Sequence, residues 1–166
     1  MNKIIKRLDS VHQKLLDTVL AVDPDRFKQR PTENEWSVAE IIHHLQLVEE
    51  RVISEVEKGL AGPPQRAGLL ARFIPPSIVA SRLVRVKAPK AVVPTSSPEK
   101  QEAIDNFEAT RKRLKELCAK AGPQRLGQIV LKHPFFGRID GTAAVSFVSY
   151  HELRHYKQIR EVLRKG

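Results

Sequence analysis

Cysteine is nearly missing from this chain: Cys118 is the only one in 166 residues. That excludes an intrachain disulfide framework and any zinc site built from cysteines. No stretch approaches the roughly 18 consecutive apolar residues of a membrane-spanning helix. Lys3, Lys6, Arg7 and Asp9 break up the region where a secretory signal would place its apolar run. A soluble, cytoplasmic protein is the expectation. Aromatic residues make up only 5%, and none is interleaved with the basic run Arg82-Leu83-Val84-Arg85-Val86-Lys87. With no helix-turn-helix, zinc-finger or RNA-binding signature, no specific nucleic-acid partner is expected. Acidic residues are outnumbered 19 to 29, leaving a net charge of +10. An anionic partner is therefore a standing option, whether nucleic acid, membrane surface or acidic small molecule.

What is present is a helical pattern. Apolar residues make up 41% of the chain, enough for a sizeable core in one domain spanning 1–166. Residues 2–22 carry Ile4, Leu8, Val11, Leu15 and Val19 at helical spacing, and Asp23-Pro24-Asp25 ends the run. His12 lies beside that stripe as a surface or boundary residue. After a polar loop at 23–35, Ser37 and Glu40 form a capping box and Trp36 and Ile41 a hydrophobic staple. The helix they start runs to about Lys58, with Gly59 as its C-cap. Ser97-Pro98 opens a third helix over 98–121, with Ile104, Phe107, Leu114, Leu117 and Cys118 inward, stopped by Ala121-Gly122-Pro123. Cys118 shares the inward phase and reads as a core residue, not a nucleophile. Residues 122–141 read as a loop, and a fourth helix covers 142–164. Four helices with little strand signal predict an all-α four-helix bundle.

Between the second and third helices, residues 59–98 hold seven of the eleven prolines, no acidic residue, and Arg66, Arg72, Arg82, Arg85, Lys87 and Lys90. This reads as a long, proline-rich, basic crossover with short helical pieces near 65–73 and 76–87. Membrane contact through 66–90 is an open alternative to a basic flap packed on the bundle.

The chemistry concentrates in histidines. His151 and His155 sit four residues apart on one helical face, inside the apolar stripe of Ala144, Phe147, Val148, Ile159 and Val162. Two inward imidazoles need partners. Hydrogen bonds to backbone or carboxylates would serve, and so would a metal ion. His151-Glu152-Leu153-Arg154-His155 also matches the five-residue zinc-protease signature. The extended protease form needs glycine and histidine where Gln158 and Glu161 stand, and only eleven residues follow His155. Glu152 falls to the edge of the stripe. A third ligand must come from upstream, and on the second helix His44 lies beside the core stripe whereas His43 faces away. Three neutral imidazoles with an open position are the usual donor set of catalytic zinc; nickel, iron or manganese could occupy the same nitrogens. Glu40 and Glu49 are candidate outer partners for the rings.

Trp36-Ser37-x-x-Glu40-x-x-x-His44-Leu45, then His133-Pro134-x-Phe136-Gly137, then His151-x-x-x-His155-x-x-Gln158-Ile159 resembles the DinB-like superfamily of four-helix proteins, which is distinct from the DNA polymerase of similar name. The resemblance runs from the first helix to the end of the chain. It implies an up-down-down-up bundle, often a homodimer, with a divalent metal held by His44, His151 and His155. It also implies a small-molecule substrate, with relatives that include S-transferases using low-molecular-weight thiols, a maleylpyruvate isomerase and proteins labelled metal-dependent hydrolases. Lys157 replaces a glycine common in relatives, and 59–98 has no counterpart in the pattern. The functional expectation is a divalent-metal-dependent enzyme of thiol S-transferase or hydrolase type. The alternatives are a non-catalytic metal-binding stress or interaction protein of the same fold, and a basic surface binder.

Overall fold

Leu8, Val11, Leu15, Leu16 and Val19 recur at helical spacing and are buried along α1 (Asn2–Leu20). The computed structural model describes residues 1–65, 76–82 and 87–165. After α1 come a short α2 (Pro24–Lys28), α3 (Val38–Ala61), a short α4 (Pro76–Ala80), α5 (Lys100–Leu126), a hairpin of β1 (Val130–His133) and β2 (Gly137–Asp140), and α6 (Gly141–Lys165). Four long helices thus form where the apolar periodicity places them. No helix among the described residues is long and apolar enough to cross a membrane.

The side-chain contacts fix the direction of each long helix. Arg7, early in α1, donates to Ser149 Oγ at 2.9 Å and Ser146 Oγ at 3.0 Å in the first half of α6. Arg26, beyond the end of α1, donates to the Leu163 carbonyl near the end of α6, so α1 and α6 run parallel. Lys165 reaches Glu35, just before α3, at 2.6 Å, so α6 runs against α3. Arg125, late in α5, donates to the Leu60 carbonyl at 2.9 Å and the Gly62 carbonyl at 2.6 Å at the end of α3. Lys100 donates to the carbonyls of Leu20 and Val22 at the end of α1. So α3 and α5 are parallel, and the order is up-down-down-up. Parallel neighbours require a crossover that retraces the length of α3, about 36 Å, which explains the long connection from 62 to 99.

Local chemistry sets most boundaries. Ser37 Oγ accepts from Glu40 N–H at 3.2 Å and Glu40 accepts from Ser37 N–H at 2.9 Å, completing the predicted capping box. Three boundaries differ from the sequence reading. The third helix starts at Lys100 rather than at Pro98, with Glu99 as an N-cap that makes no side-chain cap bond. Its axis breaks at Gly122 (φ 70°) before a last turn resumes after Pro123. Gly59 does not cap the second helix, which continues to Ala61 with Gly62 beyond it. Gly59 serves packing instead: a Cβ there would sit 3.0 Å from Ile129 Cβ. The presumed loop at 122–141 contains the β1–β2 hairpin, with Val130 opposite Asp140 and His133 opposite Gly137. Strands of four residues are too short to show alternation in sequence. Of the crossover pieces, 76–80 is helical, whereas 66–75 and 83–86 lie outside the described residues.

Ile129 wedges between α3 and α6. A Cβ on Gly141 would meet Ile129 Cδ1 at 2.7 Å and the Leu126 carbonyl at 2.8 Å. Because one of these is backbone, Gly141→Ala is expected to cost about 1–3 kcal/mol through overpacking. A chemical-denaturation midpoint equal to wild type would contradict this wedge.

The core divides into two apolar clusters. One gathers Leu8, Ile53, Val56, Leu114, Ile129 and Val145 around the hairpin end. The other gathers Leu15, Val19, Phe27, Ile41, Phe107 and Ile159 at the opposite end. Between them lies a polar layer with one member from each long helix: His12, Glu49, Arg111 and Glu152.

Candidate metal centre

His44, His151 and His155 come together at one place in the bundle. One ring nitrogen from each lies within 4.8 Å of the others. The ring centroids are 5.2 Å apart for His44 and His151, 4.8 Å for His44 and His155, and 4.5 Å for His151 and His155. The capped start of α3 sets the phase that turns His44 inward, at 3% exposure. His43 points away and bonds Ser96 at the surface.

The partners of the outer nitrogens fix the tautomers. A carbonyl can only accept, so His44 Nδ1–H donates to the Val92 carbonyl at 2.6 Å, and His155 Nδ1–H donates to Gln158 Oε1 at 2.8 Å. Nε2 of both rings is left with a lone pair. His151 Nε2 and His155 Nε2 are 3.2 Å apart. Two nitrogens sharing a tetrahedral zinc ion with bonds of about 2.0–2.1 Å sit about 3.3 Å apart, so the donor set fits such an ion. Burial lowers the pKa of His44 and pushes His151 and His155 well below the ordinary imidazole value. All three rings are therefore neutral near pH 7, the protonation state that ligation requires.

The expected outer partners are corrected here. Glu40 is spent on the Ser37 cap and on Arg30, and Glu49 pairs with Arg111. A backbone carbonyl of the crossover and the Gln158 amide hold the rings instead. Gln158 lies three residues beyond His155, so i,i+3 spacing on one helical face could have pointed to it. Val92 had no such signal, since its carbonyl arrives through the long connection.

Glu152 is also corrected. It is 1% exposed rather than at the edge of the stripe. Its Oε2 accepts from Arg111 at 2.9 Å and its Oε1 pairs with His12 Nδ1 at 3.0 Å. Arg111 donates to both Glu49 oxygens, at 2.8 and 2.9 Å. Desolvation opposes the charge on Arg111, but the bonds to Glu49 and the fields of both carboxylates outweigh it, and its pKa is raised. Burial is also the largest influence on Glu49 and raises its pKa against the pull of Arg111. The layer ties α6 to the other three long helices next to His151. Arg111 occupies the inward phase between Phe107 and Leu114, a cation in an apolar stripe, and that was its legible signature.

The three histidines line a cavity of about 850 Å³. Trp36 packs on His44 with centroids 5.0 Å apart, and Phe147 stacks on His151 at 5.1 Å. Arg82, from the basic run, is held by Glu161 at 2.8 Å and by Gln158 at 3.1 Å. Cys118 is 2% exposed and burial pushes its thiol up to about 11, which fits a core residue. In native protein at pH 8 it is expected to resist iodoacetamide, and to react fully once unfolded. Native labelling as fast as in denaturant would contradict this.

Known proteins resemble this chain in sequence and fold. The model of the DinB superfamily matches residues 7–159. The uncharacterised protein YuaE of Bacillus subtilis (strain 168) is 23% identical over 145 residues, covering 85% of each chain. Two solved structures are similar in fold. One is TT2238, a four-helix bundle protein, with TM-score 0.65 and 21% identity over 96% of this chain and 98% of that one. The other is YfiT from Bacillus subtilis, described as "a probable metal-dependent hydrolase with an unusual four-helix bundle topology", with TM-score 0.67 and 17% identity over 98% of this chain and 85% of that one.

Proposed function

The chain belongs to the DinB superfamily, and from that premise we propose that it is a divalent-metal-dependent enzyme, of hydrolase or thiol S-transferase type, whose ion is held by His44, His151 and His155. The observation that carries this is the convergence of three neutral imidazoles on the wall of a substrate-sized cavity. A structural ion would need a fourth protein donor, and no further His, Cys, Asp or Glu joins the cluster among the described residues. A bound zinc ion supplies Lewis acidity and lowers the pKa of a water or thiol that reaches it.

The chain's own residues do the positioning. The Val92 carbonyl and Gln158 orient the rings of His44 and His155 and keep each Nε2 unprotonated. Trp36 and Phe147 flank the histidines with apolar faces, which lowers the local dielectric and strengthens electrostatic contacts to a substrate. Val48, Val52, Leu131, Phe136 and Ile139 add an apolar stretch of wall, which suits a substrate with an apolar body.

Elemental analysis of protein purified without chelator, followed by assay against aryl esters and against thiol–electrophile pairs, tests the reading. Stoichiometric metal with turnover that fails in His151→Ala is the expected result. Metal-free protein that takes up no added zinc overturns it. Gln158→Ala is expected to weaken zinc affinity about 10–100-fold by freeing the His155 ring. Unchanged affinity in a competition titration would remove Gln158 from this role.

A further inference from the structure

His133 and Arg51 line the same cavity as the three histidines, yet neither belongs to that cluster. His133 Nδ1 accepts from two backbone N–H groups, Phe135 at 3.2 Å and Phe136 at 3.3 Å. A nitrogen that accepts twice carries no proton, so the neutral ring has its hydrogen on Nε2. The ring is held by Phe136, 4.8 Å away, and by the edge of Phe147 at 4.5 Å. Phe147 in turn stacks on His151, so His133 stands one aromatic ring from the candidate centre. Its Nε2–H has no protein acceptor among the described residues. It is also not a sealed atom, since Arg125 Nη1 is the only buried side-chain nitrogen or oxygen without a partner there. It is a fixed donor that a ligand can reach.

Arg51 supplies the charge. It is exposed and has no hydrogen-bond or ion-pair partner among the described residues, unlike Arg82, which is tied to Glu161. Burial, with a smaller contribution from the Arg51 charge, lowers the His133 pKa to about 4. The imidazole therefore stays neutral beside the guanidinium and keeps its tautomer. A fixed neutral donor next to an unpaired cation, at the edge of an apolar wall, is complementary to one chemical class: an apolar molecule bearing a carboxylate.

We propose that Arg51 and the Nε2–H of His133 form a carboxylate-binding corner of the cavity, and that the substrate is an apolar carboxylic acid anchored there with its reacting group toward His44, His151 and His155. This rests on the reading of the cavity as a substrate site. The corner makes substrate-binding contacts and takes no part in holding the ion.

Paired probes test it: 3-phenylpropionate against its neutral amide, titrated into zinc-loaded protein. Trp36, the only tryptophan in the chain, lies in the cavity and reports binding by its fluorescence. A charge-assisted contact predicts that the carboxylate binds about tenfold tighter than the amide in wild type. Arg51→Gln, at an exposed position, is expected to abolish that preference and leave amide affinity unchanged. His133→Phe is expected to reduce it, and nitrogen shifts of labelled histidine are expected to show the His133 proton on Nε2. A preference that survives Arg51→Gln and disappears in His151→Ala would assign the carboxylate to the ion and overturn the corner. A His133 proton on Nδ1, or no saturable carboxylate binding, would overturn it too. Failure of the metal reading looks different: no zinc uptake, with the carboxylate preference still lost in Arg51→Gln.

Discussion

Arg111→Met is expected to destabilise the protein by about 3–5 kcal/mol, because it leaves Glu49 and Glu152 buried without their cation. Both carboxylates are 1% exposed, so water cannot replace the guanidinium without opening the bundle. The loss should fall mainly on charge and not on volume. Adding Glu49→Gln and Glu152→Gln to Arg111→Met removes the stranded charges together and is expected to recover a large part of the loss. Urea denaturation of the single and triple variants gives the comparison. A single variant within about 1 kcal/mol of wild type, judged against the usual spread for surface changes, would mean that the layer carries no uncompensated charge when Arg111 is gone. The layer divides the apolar core where His12, Glu49, Arg111 and Glu152 meet, and it anchors α6 one residue from His151.

Substitution of His44, His151 or His155 by alanine is expected to lower zinc affinity by at least about 100-fold, more than the roughly 10–100-fold typical of losing an outer partner. The effect has a stability readout that needs no substrate. Zinc at about a thousand times its dissociation constant adds about 4 kcal/mol to the folded state, a rise of about 8–16 °C in melting temperature for a chain of this size. Chelator should reverse the rise in wild type, and His155→Ala should show at most about a third of it at the same zinc concentration. Burial keeps these rings neutral below the ordinary imidazole range, so protons compete for the nitrogens only at pH values beneath that range. An undiminished zinc-dependent shift in all three variants would place the ion elsewhere.

Much of this was legible in the sequence, for identifiable reasons. The capping box at Ser37 and Glu40 fixes the phase of α3, and that phase separates inward His44 from outward His43. The spacing of His151 and His155 places both on one face of α6. The breaks at Asp23-Pro24 and Gly122-Pro123 are local backbone chemistry, which sequence carries directly. The features that escaped depend on distant partners. Gly59 looks like a helix end until Ile129 is seen packed against it. Val92 has no chemical marker, because its contribution is a carbonyl. Glu152 lies inside only because Arg111 and His12 arrive from α5 and α1 to meet it. The tautomer of His133 is set by the turn between two four-residue strands that periodicity does not reveal.

The most direct test of the central claim is anomalous diffraction at the zinc edge from crystals of protein loaded with one equivalent of the metal. One peak is expected, within about 2.0–2.1 Å of a nitrogen from each of His44, His151 and His155, with a coordination position open to the cavity. A peak on other side chains, or none at the three histidines, would contradict the account.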